Sequence, residues 1–222
     1  MEQAEAQITD NAYLQVYQLL LEHHGSQKWW PGETSFEIMI GAILTQNTAW
    51  TNVEKAISRL KQADALSPDR LLSLPESTVA DLIRPSGYFN VKTLRLRNYC
   101  YWFLNAGGHD TLSNWSTSDL RAGLLEINGI GPETADDILL YAFERPVFVI
   151  DTYTRRLFSR LQLINSDLDY EKIRSIFENE LEKDTQLFNE YHALIDVHVK
   201  SICKTRPVCE SCCLNDHCSY KT

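Results

Sequence analysis

The sequence predicts an all-α fold, and three observations predict it. Apolar residues recur at helical spacing through most of the chain. Proline and glycine breaks divide that pattern at short intervals. Only one run, Val147-Phe148-Val149-Ile150, reads as a strand, and it is short and isolated. In chain order, Val53, Ala56, Ile57 and Leu60 fall at i, i+3, i+4 and i+7 and give one apolar stripe. Breaks follow at Ser67-Pro68, Leu74-Pro75, Pro85-Ser86-Gly87 and Gly107-Gly108. Ala135, Ile138, Leu139 and Ala142 repeat the stripe, Arg145-Pro146 ends it, and Phe188, Tyr191, Ile195 and Val199 carry it near the C-terminus. The expectation is about ten helices with short connections. No fixed-period repeat and no low-complexity linker is seen.

A length of 222 residues accommodates one large domain or two small ones. No run approaches the ~18 apolar residues of a membrane span. The opening MEQAEAQITDNAYLQ is polar and acidic, unlike a secretory signal. Thiols without an export signal point to the cytosol. The net charge of −9 argues mildly against a nucleic-acid binder, although the placement of charge counts more than its sum. Basic residues gather at Lys92, Arg95 and Arg97, at Arg155, Arg156 and Arg160, and at Lys200, Lys204 and Arg206. A solvated surface is the expected setting of each such cluster. His192 and His198 read as ordinary helix-surface or core histidines.

Cys203, Cys209, Cys212, Cys213 and Cys218 crowd the last twenty residues, and four of them read C-x5-C-x2-C-x5-C. Such a run can wrap one iron–sulfur cluster or one zinc ion, or form two disulfides. Zinc favours two facing C-x2-C pairs, and only one exists. A cubane takes its thiolates at the corners of a larger object, so the wider gaps favour iron–sulfur.

A second signal is Leu125-Glu-Ile-Asn-Gly-Ile-Gly-Pro-Glu-Thr-Ala135. Gly129 and Gly131 make a tight turn between helices, with Ile127 and Ile130 as core anchors. Pro132 suits the first position of the next helix. The free N–H groups of a helix start can seat a phosphate, and a plain packing corner is the alternative. Asp151 stands 18 positions beyond Glu133, after the apolar run and at the start of a helix, where an N-cap is the plain reading.

Together, the G-x-G hairpin, this aspartate and the C-terminal cysteine loop resemble the helix-hairpin-helix (HhH-GPD) DNA glycosylases of the endonuclease III superfamily, from about residue 30 to residue 218. The resemblance implies a two-domain, all-α, endonuclease III-like fold. Residues 28–145 would form a six-helix barrel carrying the hairpin at about 125–135. Residues 1–27 and 146–222 would combine into a cluster domain, with Asp151 and the hairpin lining one groove. It further implies that Asp151 is the catalytic aspartate and that Gln46, in Leu44-Thr-Gln-Asn-Thr48, fills the gap left by a flipped nucleotide. Tyr88, in Gly87-Tyr-Phe-Asn90, takes the wedge place. Gly129 and Gly131 contact DNA, and Cys203, Cys209, Cys212 and Cys218 hold a [4Fe–4S] cluster. The first cysteine gap is one residue shorter than in most endonuclease III sequences. Cys213 competes with Cys212 for third ligand, and Cys212 preserves the two later gaps.

In bifunctional members an amine nucleophile just after the hairpin turn forms a Schiff base with the sugar. Glu133 occupies that position here, and a carboxylate cannot form an imine. The expectation is a monofunctional base-excision repair glycosylase. Core or lid packing is the plain reading of the adjacent Trp29 and Trp30, but Trp29-Trp30-Pro31, taken with the other motifs, is similar to 3-methyladenine DNA glycosylase III, in which stacked aromatics and proline hold an alkylated purine. The implied partner is damaged double-stranded DNA, met by a monomer with no membrane association in a bacterial or archaeal cytosol, at the nucleoid. Competing readings are an oxidised-pyrimidine glycosylase/AP lyase of endonuclease III type, a non-catalytic iron–sulfur protein that binds DNA structures, and a redox carrier.

Overall fold

A computed structural model describes residues 11–29 and 32–220. Those residues divide into two compact units, with cuts after Trp29 and after Arg145: the two end segments together make the first unit and the segment between the cuts makes the second. Twelve α-helices are found among them: α1 (Ala12–His24), α2 (Ser35–Leu44), α3 (Trp50–Gln62), α4 (Pro68–Ser73), α5 (Glu76–Leu82), α6 (Phe89–Asn105), α7 (Gly108–Leu112), α8 (Thr117–Leu125), α9 (Pro132–Asp137), α10 (Thr152–Arg160), α11 (Tyr170–Glu180) and α12 (Thr185–Ser201). The all-α expectation holds. The helix number exceeds the expected ten because α4, α5, α7 and α9 are five to seven residues long, too short to show a period.

Among the described residues there is no strand, which corrects the reading of Val147–Ile150. That run is extended and buried, between 0 and 3% exposed. Its amides bond to side chains instead of to a neighbouring strand: Phe148 N–H donates to Glu178 Oε1 at 3.2 Å and Ile150 N–H to the Tyr170 hydroxyl at 3.3 Å. Phe148 stacks on Phe177 at 4.3 Å and meets Phe188 and Tyr191 edge-on. Phe158 and Tyr13 complete this aromatic core of the first unit. Each fully buried ring contributes roughly 2–3 kcal/mol of hydrophobic stabilisation.

In the second unit, Val53, Ala56, Ile57 and Leu60 are buried on α3 as their spacing predicts. Ser67 caps α4 by accepting from Arg70 N–H, and Pro68 takes the first turn. Arg97 of α6 reaches the other end of α4, donating to the carbonyls of Leu71, Leu72 and Leu74, where the helix dipole favours a cation. The stripe Ala135, Ile138, Leu139, Ala142 is buried as expected. The helix widens to a π-turn over Ile138–Ala142, however, with Phe143 N–H reaching the Ile138 carbonyl at 3.2 Å. No described helix is long and apolar enough to cross a membrane.

Candidate functional site

The hairpin turn between α8 and α9 is built by two unlike glycines. Gly129 has φ +100°, and a Cβ there would come within 2.3 Å of Arg95 Cγ, so both conformation and space demand glycine. Gly131 is extended, φ −96°, with nothing within 4 Å of a Cβ, so packing makes no such demand. Ile127 and Ile130 anchor the turn, each 6% exposed. Pro132 opens α9, and Glu133 beside it is exposed.

Gln46 is brought to this hairpin from 83 positions away. Its amide donates to the Gly129 carbonyl at 3.0 Å and to Thr134 Oγ1 at 2.9 Å. Its carbonyl accepts from Arg95 Nη1. Tyr88 lies at the start of α6 in the left-handed region, φ 46° and ψ 31°, and is 71% exposed. Gly87 before it is also left-handed, φ +67°.

Lys92, expected in a solvated cluster, is instead buried, 1% exposed. Its ammonium donates to the Leu44 and Ser86 carbonyls at 2.8 and 2.7 Å. Burial first, and the charge of Arg95 second, push its pKa down to about 8. Arg95 is half-buried and Arg97 serves α4, so this basic cluster organises the unit from within. Sequence reading missed that role because a buried lysine leaves no mark on spacing. The heptapeptide Gly87–Thr93 alone gives no sign that the Lys92 amine finds carbonyls at both ends of its reach.

In the first unit, Asp151 caps α10: Oδ1 accepts from Thr154 N–H at 2.7 Å. The N-cap reading of Asp151 is therefore met. Its Oδ2 lies 3.9 Å from His192 Nε2, and the two side chains are 17 and 16% exposed. Trp29 is half-buried, and Trp30 and Pro31 lie outside the described residues.

Cys203, Cys209, Cys212 and Cys218 line one cavity together with Leu157, Arg160, Leu214 and neighbours, and Cys213 is not on its wall. All six cysteines are free thiols. Burial raises the pKa of Cys212, and the other three lining thiols raise it further, as neighbours would. Cys213 is pushed up to about 11 by burial first and by Cys212 second. No three His, Cys, Asp or Glu side chains among the described residues form a ready metal-binding group; the four thiols ring a cavity without closing on a point.

Two side chains that sequence reading left unassigned frame this loop. Arg160 Nη1 donates to the Cys203 carbonyl and Sγ at 3.2 Å and to the Lys204 carbonyl at 2.7 Å, and Nη2 to the Thr205 carbonyl at 3.2 Å. His198, fully buried, contacts His24 at 3.0 Å through Nδ1 and Cys212 Sγ at 3.5 Å through Nε2. Burial first, then His24 and His23, hold His198 down at about 4, so it is neutral at pH 7.

Residues 40–183 match the model of the HhH-GPD superfamily base excision DNA repair proteins. A Methanocaldococcus jannaschii protein, provisionally named a DNA repair glycosylase, is 46% identical over 209 residues, 93% of this chain and 95% of the relative. A Helicobacter pylori 3-methyladenine DNA glycosylase solved with 1,N6-ethenoadenine superposes with a TM-score of 0.69 at 29% identity, covering 84% of this chain and 96% of that one. An endonuclease III–DNA complex superposes with a TM-score of 0.79 at 21% identity, over 93 and 95% of the two chains, and shows the shared fold.

Proposed function

The chain belongs to the HhH-GPD superfamily of base excision DNA repair glycosylases, and we propose that it is a monofunctional member that releases alkylated purines from duplex DNA. The observation that carries the reading is the setting of Asp151. One carboxylate oxygen fixes the side chain to a helix start, and the other lies 3.9 Å from His192 Nε2, on a side chain that is only 17% exposed. A carboxylate so held suits the transition state of base release. The N-glycosidic bond breaks with its electron pair leaving on the base, and the sugar becomes oxocarbenium-like. Asp151 stabilises that cation and orients the water that adds to C1′, accepting its proton.

Reaching the bond requires the nucleotide to leave the stack. In this reading Gln46 fills the vacated place, Tyr88 wedges the opposite strand, and the hairpin at Gly129 and Gly131 offers backbone N–H groups to a phosphate. Glu133 supplies no amine, so the product is an intact abasic strand. The alkylated-purine assignment is supported by Trp29-Trp30-Pro31 and by the likeness to the H. pylori glycosylase. A cationic purine stacks well on aromatic faces and is a good leaving group. The second unit corresponds in this reading to the barrel domain and the first to the cluster domain.

The same reading assigns a [4Fe–4S] cluster to Cys203, Cys209, Cys212 and Cys218. Support comes from four free thiols around one cavity, with Cys213 off its wall. When bound, the group supplies four sulfur–iron links across a loop that has only short turns of its own.

Base release from duplexes bearing 3-methyladenine or thymine glycol, under single turnover, tests the assignment. The expected result is faster release of the methylated purine, no borohydride-trapped protein–DNA adduct, and strand breaks only after alkali. Asp151→Asn should bind DNA and lose release by about 10³-fold or more. Faster processing of thymine glycol with efficient trapping selects the oxidised-pyrimidine lyase reading. No release by wild type from any lesion selects the non-catalytic one.

A further inference from the structure

The buried amine of Lys92 has no part in the chemistry above, and its cost calls for an account. Removing an ammonium from water is expensive, and an apolar side chain of similar volume would often fill the same space at lower cost. What an apolar side chain cannot do is donate to two carbonyls at once. The two that Lys92 serves stand 48 and 6 positions away in the chain. Leu44 ends α2 and leads into the turn that carries Gln46, and Ser86 immediately precedes Gly87 and Tyr88.

One turn further along α6, Arg95 does the same for the hairpin. Its guanidinium holds the Gln46 carbonyl, and its aliphatic stem lies where a Cβ on Gly129 would be. Gln46 closes the circuit by donating to Gly129 and Thr134. Three turns from distant parts of the chain are thus wired through two residues of one helix face, i and i+3.

We propose that Lys92, with Arg95 as a second arm, is a positioning residue that holds the Gln46 turn, the Tyr88 turn and the hairpin in one register, so that the gap-filling and wedging side chains enter DNA as a single tool. The proposal rests on the DNA roles given to Gln46 and Tyr88 above. It does not depend on which base is removed. Without the ammonium, each turn keeps its own fold but the spacing between them is no longer fixed. DNA opening then suffers, while ordinary phosphate contacts do not.

The test uses full-length protein purified with whatever metal it carries. The probe is a duplex with a tetrahydrofuran abasic-site analogue beside 2-aminopurine, whose fluorescence rises when the stack opens. Because tetrahydrofuran has no base, the readout is independent of substrate preference. Wild type should open the duplex, and Lys92→Met should open it about tenfold less readily, as expected for losing two buried hydrogen bonds. Its affinity for undamaged duplex should stay within about twofold, and damage to the whole fold would lower both together. Arg95→Met should show the same selective loss, about threefold, having one bond fewer at a half-exposed place. If Lys92→Met yields no soluble protein, Arg95→Met decides, and unchanged opening there overturns the proposal. Equal losses on both duplexes, or Lys92→Met opening like wild type, also overturn it. A wild-type protein that leaves fluorescence flat removes the roles of Gln46 and Tyr88 and this proposal with them. A wild-type response without release of methylated purines removes only the substrate assignment.

Discussion

The cysteine loop and the hairpin are held in opposite ways. The hairpin is closed by protein packing alone: two buried isoleucines of its own, one glycine fitted against the Arg95 stem, and the Gln46 amide bonded to its backbone. The loop from Cys203 to Cys218 has two short 3-10 turns, neither containing a buried residue. Besides Cys203, only Leu214 of that stretch enters the core. Its shape rests on the Arg160 guanidinium, which bonds three consecutive carbonyls, and in the proposed reading on a cluster held by its thiols. The hairpin should therefore be indifferent to a ligand that decides whether the loop is folded at all, as in other small sites where binding energy is folding energy.

The largest expected effect is removal of that ligand. Alanine at Cys203, Cys209, Cys212 or Cys218 should abolish the cluster and most soluble yield. Alanine at Cys213 or Cys100 should leave near four irons and four sulfides per chain, as a cubane requires. Stoichiometric zinc with no sulfide would reject the cluster. Hydrogen exchange after stripping the metal should show protection lost at residues 203–218 and kept at 127–135, and parallel loss would break the contrast.

Next in size is Gly129→Ala, expected to cost about 2–4 kcal/mol in denaturant unfolding from a strained φ and the contact with Arg95. A pH effect follows from Lys92. Its folded pKa is near 8 and its unfolded value near the ordinary 10.5. Between these the unfolded chain binds the extra proton, so stability should rise with pH across that window, by at most about 3 kcal/mol. The rise should vanish in Lys92→Met, and a wild-type curve flat from pH 8 to 10 would show that the amine is not desolvated in solution. The smallest effect is expected for Gly131→Ala. Its backbone is ordinary and its surroundings open, so stability should change by less than about 0.5 kcal/mol. Weaker DNA affinity at unchanged stability would show that the open space is kept for a phosphate.

The same contrast governs what was legible in the sequence. The cysteine loop was readable because its geometry is set by separations of a few residues, and all four spaced thiols prove to share one cavity. The helical stripes on α3 and α12 were readable for a like reason, since a period is local. The hairpin's position was equally clear. Its dependence on Gln46 and Arg95 was not, because those partners lie 83 and 34 positions from Gly129 and meet it only after folding. The run at Val147–Ile150 misled because β-branched and aromatic residues suit any buried extended chain, and the identity of the hydrogen-bond partner is not written in it. Lys92 and Arg160 looked like surface charge for want of any local sign of the carbonyls they serve.

Tyr88 has a consequence of another kind. A tyrosine in the left-handed region sits about 1–2 kcal/mol above its relaxed state. Being 71% exposed, it recovers little of this by packing. Glycine or asparagine at position 88 would be the more comfortable residue for the backbone alone. Heat-tolerance screening of random variants should thus enrich those replacements. If Tyr88 wedges DNA as proposed, a library sorted for thermal endurance and one sorted for repair would diverge at this one codon, and their divergence would measure what that presentation of the ring costs the backbone.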